Sequence, residues 1–280
     1  MRPGARRAVN VVMSGLAAVA AGLVVLPLLL IFGFLLWQGA SALNVDFFTH
    51  LPKPVGEVGG GMANAIVGSL VLIALAAALG LPLGILGGVY LAESRDRHLP
   101  WLARFLADVL NGVPSIVIGI FAYTVMVLPM RRFSALAGAF ALAVIMLPIV
   151  MRTSEELVRL VPASLREAAL ALGIPEWKVL LRVVLPAARA GIVTGAMVAI
   201  ARVAGETAPL LFTAFGNRFW HQGLDQPIAA LPLQIFAYAI APYDDWHRQA
   251  WAGALVLIGL VFMVSLAARV ATSGRFTGVR

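Results

Sequence analysis

Five stretches of the chain are long enough to cross a lipid bilayer and contain no charged side chain: Val11 to Trp37, a part of Val58 to Ala92, Val109 to Met130, Phe133 to Met151 and Gln249 to Ala268. Roughly 20 consecutive apolar residues in a helix match the thickness of the hydrocarbon core, so these runs predict membrane-spanning helices. A sixth run, Ala190 to Asn217, has the same character except that Arg202 and Glu206 interrupt it. The runs are rich in Leu, Ala, Ile and Gly without alternating apolar and polar residues, which favours helices over the strands of a lipid-facing barrel. With 61% hydrophobic and 12% charged residues and a mean hydropathy of +0.94, the chain departs from the composition of a water-soluble domain. The expected fold is an all-α integral membrane bundle of six transmembrane helices.

Basic residues orient that bundle, because they concentrate in cytoplasmic segments. Six spans with a cytoplasmic N-terminus place fifteen of the Lys and Arg residues inside, Arg2, Arg95, Arg97, Arg275 and Arg280 among them, and five outside; Arg202 alone falls within a span. The pair Arg131 and Arg132 is the one local violation. The run Gln226 to Tyr243 is also uncharged, but it holds Pro227, Pro232 and Pro242, and a seventh span would put the basic C-terminus outside. It is expected to be an outer re-entrant or interfacial segment. The expected organisation is an N-terminal helix and outer loop over 1–63, a transmembrane domain over 64–270 with a cytoplasmic loop at 153–189, and a cytoplasmic tail over 271–280. Residues 1–42 mimic a signal peptide, with Arg6 and Arg7 before the apolar run and Ala40-Ser41-Ala42 after it. The apolar run far exceeds an h-region of about 7–15 residues, so a retained first helix is expected. The net charge of +8 is spread over the inner segments and suits anionic headgroups; nucleic acid is not indicated as a partner.

Missing residues restrict the chemistry. Cysteine is absent, and neither lysine, Lys53 or Lys178, follows a glycine, so the chain has no phosphate-cradling P-loop of its own. His50, His98, His221 and His247 stand singly near span edges without metal-ligand spacing, and none lies where an intramembrane Ser-His protease needs one. No catalytic residue and no metal site are expected.

The longest inner loop carries its own helix signals. Ser164 and Glu167 have the spacing of a capping box, Gly173 is a C-terminal stop, and Pro175 prevents continuation. A helix of about two turns is expected over Leu165 to Leu172, with Leu165, Ala168, Ala169 and Leu172 on one side and Arg166 off it. Upstream, Glu155 and Glu156 are followed by basic residues and read as a solvated face.

Glu167-Ala168-Ala169, three residues, Gly173, nine residues and Val183-Val184-Leu185-Pro186 resemble the EAA loop of ABC importer permeases, E-A-A-x3-G-x9-I-x-L-P, with Val183 in place of the usual Ile. Gly59 to Leu70, Asn111 to Phe121, Ala201 to Asn217 and Ala230 to Ala239 resemble the PstA-type phosphate permeases within that family. The resemblance implies a type I importer fold in a bacterial inner membrane. It also implies that Leu165, Arg166, Glu167, Ala168, Ala169, Leu172 and Gly173 form a coupling helix seated on a cytoplasmic ATPase dimer. ATP and Mg then belong to that ATPase, and this chain binds no cofactor. The other implied partners are a second, different permease chain, an extracytoplasmic phosphate-binding protein, phosphate and lipid.

Arg202 and Glu206 are the residues that six apolar spans do not explain. They stand four apart, on one helical face, close to mid-membrane, where charged side chains are functional candidates by default. Pro209 lacks an amide hydrogen and frees the carbonyl of Gly205, so a bend is expected beside the charges. The expected substrate path comprises Arg202, Glu206, Thr207, Asn64 and Ser115, with Gly205, Pro209 and Pro114 as hinges. Arg202 supplies a permanently charged donor fork to phosphate, and Glu206 holds it. A structural Arg–Glu pair fastening two helices is the competing reading, and close packing competes for Asn64, Gly68 and Ser69. Arg202 does not itself name the anion: permeases for phosphonate, sulfate or molybdate would share the loop. A non-conducting signalling or scaffold subunit is the alternative from another class.

Overall fold

The computed structural model describes residues 3–55, 57–94, 96 and 98–273. Arg2, Arg95, Arg97, Arg275 and Arg280, invoked above for orientation, and the tail beyond 273 lie outside the described residues. Eleven helices are distinguished here: α1 (Pro3–Gly39), α2 (Val45–Thr49), α3 (Ala63–Glu93), α4 (His98–Gly112), α5 (Ser115–Met130), α6 (Ala135–Arg159), α7 (Ala163–Ala171), α8 (Glu176–Ala204), α9 (Ala208–Leu211), α10 (Leu231–Ala239) and α11 (Asp244–Ser273). Among the described residues there is no strand beyond isolated bridges. Five helices are long and apolar enough to cross a membrane, and the pair α4 and α5 adds a sixth crossing if counted as one.

The core forms where α3, α6 and α8 meet. Gly80, Gly84 and Gly88 recur every fourth residue and face Met146, Val150 and Met151 in turn; a Cβ on Gly84 would lie 2.8 Å from the Val150 Cβ. Helices in lipid gain little from excluding water, so such small-residue stripes let backbones approach and supply the packing attraction. The matching increments make α3 and α6 parallel. α8 runs antiparallel to α6, with Gly191 against Leu157 and Gly195 against Thr153. α1 is almost wholly uncovered and joins the bundle through α11, where Phe34 meets Trp251 edge to face and Gly39 sits on the Trp251 carbonyl.

Four expectations change here. The third span, expected over Val109 to Met130 with a hinge at Pro114, starts earlier, at His98, and turns far more sharply than a kink: α4 ends at Gly112, Pro114 caps α5, and the two helices meet at 106°. Proline disfavours a helical residue before it and cannot donate, so it breaks the helix here. α4 is amphipathic and lies across the bundle end, with Trp101, Phe105 and Val109 exposed and Ala107 buried. The fifth span begins earlier, at Glu176, and its helix stops at Ala204. The Ser164–Glu167 capping box does not form, because Pro162 occupies the cap and Ser164 lies inside the helix. Glu155 is not solvated; its side chain is 1% exposed. Segment 226–243 matches its expectation: α10 has nine residues, about 14 Å, too short to cross a membrane.

Candidate substrate path and coupling surface

The sixth run, the one that carries charges, folds around an interruption. α8 ends where the Gly205 and Glu206 amides turn back to the carbonyls of Arg202 and Val203, at 3.3 and 3.2 Å. Thr207 then precedes the single turn of α9, with Pro209 in its first turn, where a missing amide hydrogen costs no bond. Gly195 and Thr153 set the depth. Arg202 lies about two turns beyond them along α8, next to Val203 and Ala204, which border Leu142 about two turns inside the start of α6, so the charges sit inside the bundle.

Within the break, Arg202 Nη2 and Glu206 Oε1 are 3.9 Å apart, with 55% of the Arg202 side chain and 15% of the Glu206 side chain exposed. That separation exceeds a hydrogen bond. Arg202 makes no other side-chain hydrogen bond among the described residues, so its donor fork is available. It continues an uncovered stripe of α8 through Thr194 and Val198. α9 is held from behind: Gly119 of α5 packs so closely on Pro209 that a Cβ would lie 2.7 Å from the Pro209 Cα.

The five expected path residues are not gathered into one site. Arg202, Glu206 and Thr207 share the break. Ser115 opens α5, one turn before Gly119, and is half-buried. Asn64 is elsewhere: Val203 and Ala204 border Ser69, Leu72 and Ile73, and Asn64 lies about two turns further toward the start of α3. It is 2% exposed and donates from Nδ2 to the Asn217 carbonyl at 2.7 Å. Ser69 accepts the Leu231 amide at 2.7 Å, and a Cβ on Gly68 would lie 2.0 Å from the Ala229 carbonyl oxygen. Asn64, Gly68 and Ser69 therefore fasten the segment entering α10, whose backbone needs these partners deep in the protein.

At the opposite bundle end, α7 divides the expected coupling residues into two faces. Leu165, Glu167, Ala168 and Leu172 point outward, Leu172 being 81% exposed. Arg166 and Ala169 point inward: Ala169 packs among Val161, Val179 and Val184, while Arg166 pairs with Glu93 and donates to the Val158 carbonyl at 3.1 Å. Arg166 thus leaves the outer face because Glu93 draws it in, and Ala169, three residues on, follows. Gly173 closes the helix at φ +76°, with its own amide on the Leu170 carbonyl and that of Ile174 on Ala169. These are the two bonds of a Schellman cap.

Sequence reasoning missed the side chains around Glu155. Arg104 Nε donates to Glu155 Oε1 at 2.6 Å, Arg152 Nη1 to Oε2 at 2.8 Å, and Arg159 Nη2 lies 2.9 Å from Oε1. Arg152 and Arg159 at i−3 and i+4 from Glu155 were a legible signal of local pairing. Arg104, far off in sequence, was not.

Residues 80–272 match the family described as binding-protein-dependent transport system inner membrane component. The phosphate transport system permease protein PstA of Yersinia pestis is 48% identical over 234 residues, which cover 83% of this chain and 79% of that protein. The protein of the same name from Haemophilus influenzae is 42% identical over 265 residues, 94% of each chain. A chain of a bacterial alginate ABC transporter, crystallised with an alginate pentasaccharide-bound periplasmic protein, shares the fold over 98% of both chains at a TM-score of 0.67 and 12% identity. The inward-facing MetNI methionine ABC transporter covers 74% of this chain and 94% of its own at a TM-score of 0.58 and 18% identity. A helical bundle with a short helix in the loop between its fourth and fifth spans and a break in the fifth, matched along most of its length by these relatives, belongs to the binding-protein-dependent inner membrane permeases and, among them, to the PstA type.

Proposed function

We propose that this chain is a permease subunit of an ATP-driven importer of inorganic phosphate in a bacterial inner membrane, with both termini cytoplasmic. The observation that carries the reading is the open guanidinium of Arg202 at a helix break deep in the bundle, in a chain whose relatives are named phosphate transport permeases. A planar, permanently charged fork suits a tetrahedral oxyanion, which takes paired hydrogen bonds from it. Glu206 restrains the fork without occupying it, and Thr207 offers a hydroxyl in the same turn. Ser115 lines the approach from α5, whereas Asn64 supports the outer segment.

Leu165, Glu167, Ala168, Leu172 and the Gly173 cap form the surface that seats on a cytoplasmic ATPase, an amphipathic helix laid in a groove. ATP and Mg are bound by that ATPase. A second, different permease chain covers the uncovered stripe of α8 and completes the path, and an extracytoplasmic phosphate-binding protein delivers substrate. Gly205, Pro209 and Pro114 are the hinges, since each stands where a helix already stops or turns.

The test is ATP-driven uptake of labelled phosphate into proteoliposomes holding the assembled complex. Uptake that excess sulfate leaves intact and that Arg202→Ala abolishes without loss of assembly supports the reading. Competition by sulfate would move the substrate to another oxyanion. Wild-type uptake by Arg202→Ala would make the Arg202–Glu206 pair structural.

A further inference from the structure

Two bundle-end helices, α4 and α7, hang from the last turn of α3 by separate arginines. Arg166 carries α7, through the Glu93 carboxylate and the Val158 carbonyl. Arg104 carries α4, through Glu155 and through the Leu91 carbonyl, which Nη2 meets at 2.9 Å. Arg159 reaches the same carbonyl at 3.2 Å, and Arg152 adds a second tie to α4 through Asp108 at 3.2 Å. Leu91 and Glu93 are two residues apart. One turn earlier, a Cβ on Gly88 would lie 2.4 Å from the Met151 carbonyl oxygen, so α3 and α6 are in backbone contact at this level. A buried carboxylate bonded by three arginines, themselves partly exposed, holds their geometry tightly.

We propose that the Glu155 cluster is a mechanical clamp, making α4 and α7 move as one body with the ends of α3 and α6. A displacement of α7 by an ATPase is then delivered through α4 to the substrate path. This rests on the transport function proposed above. The path onward is contiguous: α4 turns at Pro114 into α5, and Gly119 of α5 abuts Pro209 of α9, three residues past Glu206. Every junction before the break is closely packed or charge-bonded. At the Gly205–Thr207 break the helical ladder gives way to two turn bonds and the loose 3.9 Å ion pair, so it is where a transmitted displacement is absorbed. The outer face of α4, with Trp101 stacked on Phe105 at 5.7 Å, suits a helix that slides within the headgroup layer. Arg104 and Glu155 are thus positioning residues that touch neither substrate nor nucleotide.

The informative variant is Arg104→Met with Asp108→Asn. It frees α4 but leaves Glu155 with Arg152 and Arg159, so no buried charge is orphaned. The chain has no cysteine, so Leu102→Cys on α4 and Ser164→Cys on α7 give a clean pair of spin-label sites. In the reconstituted complex with its ATPase and binding protein, the double variant is expected to assemble and hydrolyse ATP as the wild type does. It should move about tenfold less phosphate per ATP, a typical size for coupling between distant sites. The α4–α7 distance should stay constant in the wild type between nucleotide-free and vanadate-trapped states and broaden in the variant. Arg104→Lys, which keeps the charge without the fork, should recover part of the ratio. A wild-type distance that changes by more than about 5 Å, one helical turn, overturns the clamp. So does a wild-type phosphate-to-ATP ratio in the variant, or its failure to assemble, which would make the cluster a stability element only. The distance measurement needs no substrate, so a wild-type complex that moves no phosphate would sink the transport reading while the clamp is still judged.

Discussion

Besides the Arg166–Glu93 pair, two arginine–glutamate groupings stand among the apolar helices, and they are built in opposite ways. At the α7 end, Glu155 is 1% exposed and surrounded by three arginines at 2.6 to 2.9 Å. At the break in the fifth span, Arg202 and Glu206 stand 3.9 Å apart and the arginine is half exposed. The first grouping bonds a buried carboxylate to three arginines and joins α3, α4 and α6, although Arg159 remains half exposed. The second leaves its cation open and sits where the backbone is already interrupted. The same residue types therefore fasten helices where their bonds are short and several, and leave a donor fork open where the pair is loose, as the proposed recognition of an anion needs.

Variants can break or sharpen that contrast. The largest effect is expected from Glu155→Ala, which leaves Arg104, Arg152 and Arg159 without their shared carboxylate; a loss of about 3–5 kcal/mol should appear as a lower thermal midpoint in detergent and a poor membrane yield. If this variant proves as mild as Arg202→Ala, the two groupings are energetically alike and the contrast fails. Next comes Gly68→Ala, whose methyl would meet the Ala229 carbonyl oxygen at 2.0 Å; forcing the α10 segment off α3 should cost about 1–3 kcal/mol on the same melt. Gly173→Ala has open space around it, so only the backbone at φ +76° is strained, and about 1 kcal/mol is expected, with a larger loss of ATPase binding if the helix end unwinds. The smallest stability change, within about 0.5 kcal/mol, is expected for Arg202→Ala, because a loose pair that is half exposed contributes little after solvent screening. Its uptake should nonetheless be lost. Arg202→Lys should lie between, since a point charge replaces a fork.

The spans were legible because membrane helices announce themselves by length and apolarity, and Ala63–Glu93 and Ala135–Arg159 are close to the runs read from sequence. The α7 helix was legible from Gly173 and Pro175, although its start was misplaced: Ser164 has a capping side chain, but Pro162 already held the cap position. The break at Gly205 was anticipated from Pro209 and the adjacent charges. The right angle at Pro114 was not. A proline announces that a helix is disturbed, but the angle is set by what the next helix packs on, here Pro209 against Gly119. Asn64 is a similar case. Its polarity in an apolar helix is visible in sequence; that its amide donates to the Asn217 carbonyl depends on a contact across the fold.

The sequence by itself determined that this chain lives in lipid as a helical bundle and where most helices stop, and it marked a short loop helix and one charged span as the candidates for its activity. Those properties follow from local chemistry, since transfer into hydrocarbon and backbone hydrogen bonding are settled residue by residue. Only the tertiary structure decided which charges are satisfied. Glu155 and Glu206 each have an arginine one helical turn away, and sequence spacing treats them alike. What separates them is Arg104, fifty-one residues from Glu155 and bonded to it only because α4 folds back across the ends of α3 and α6.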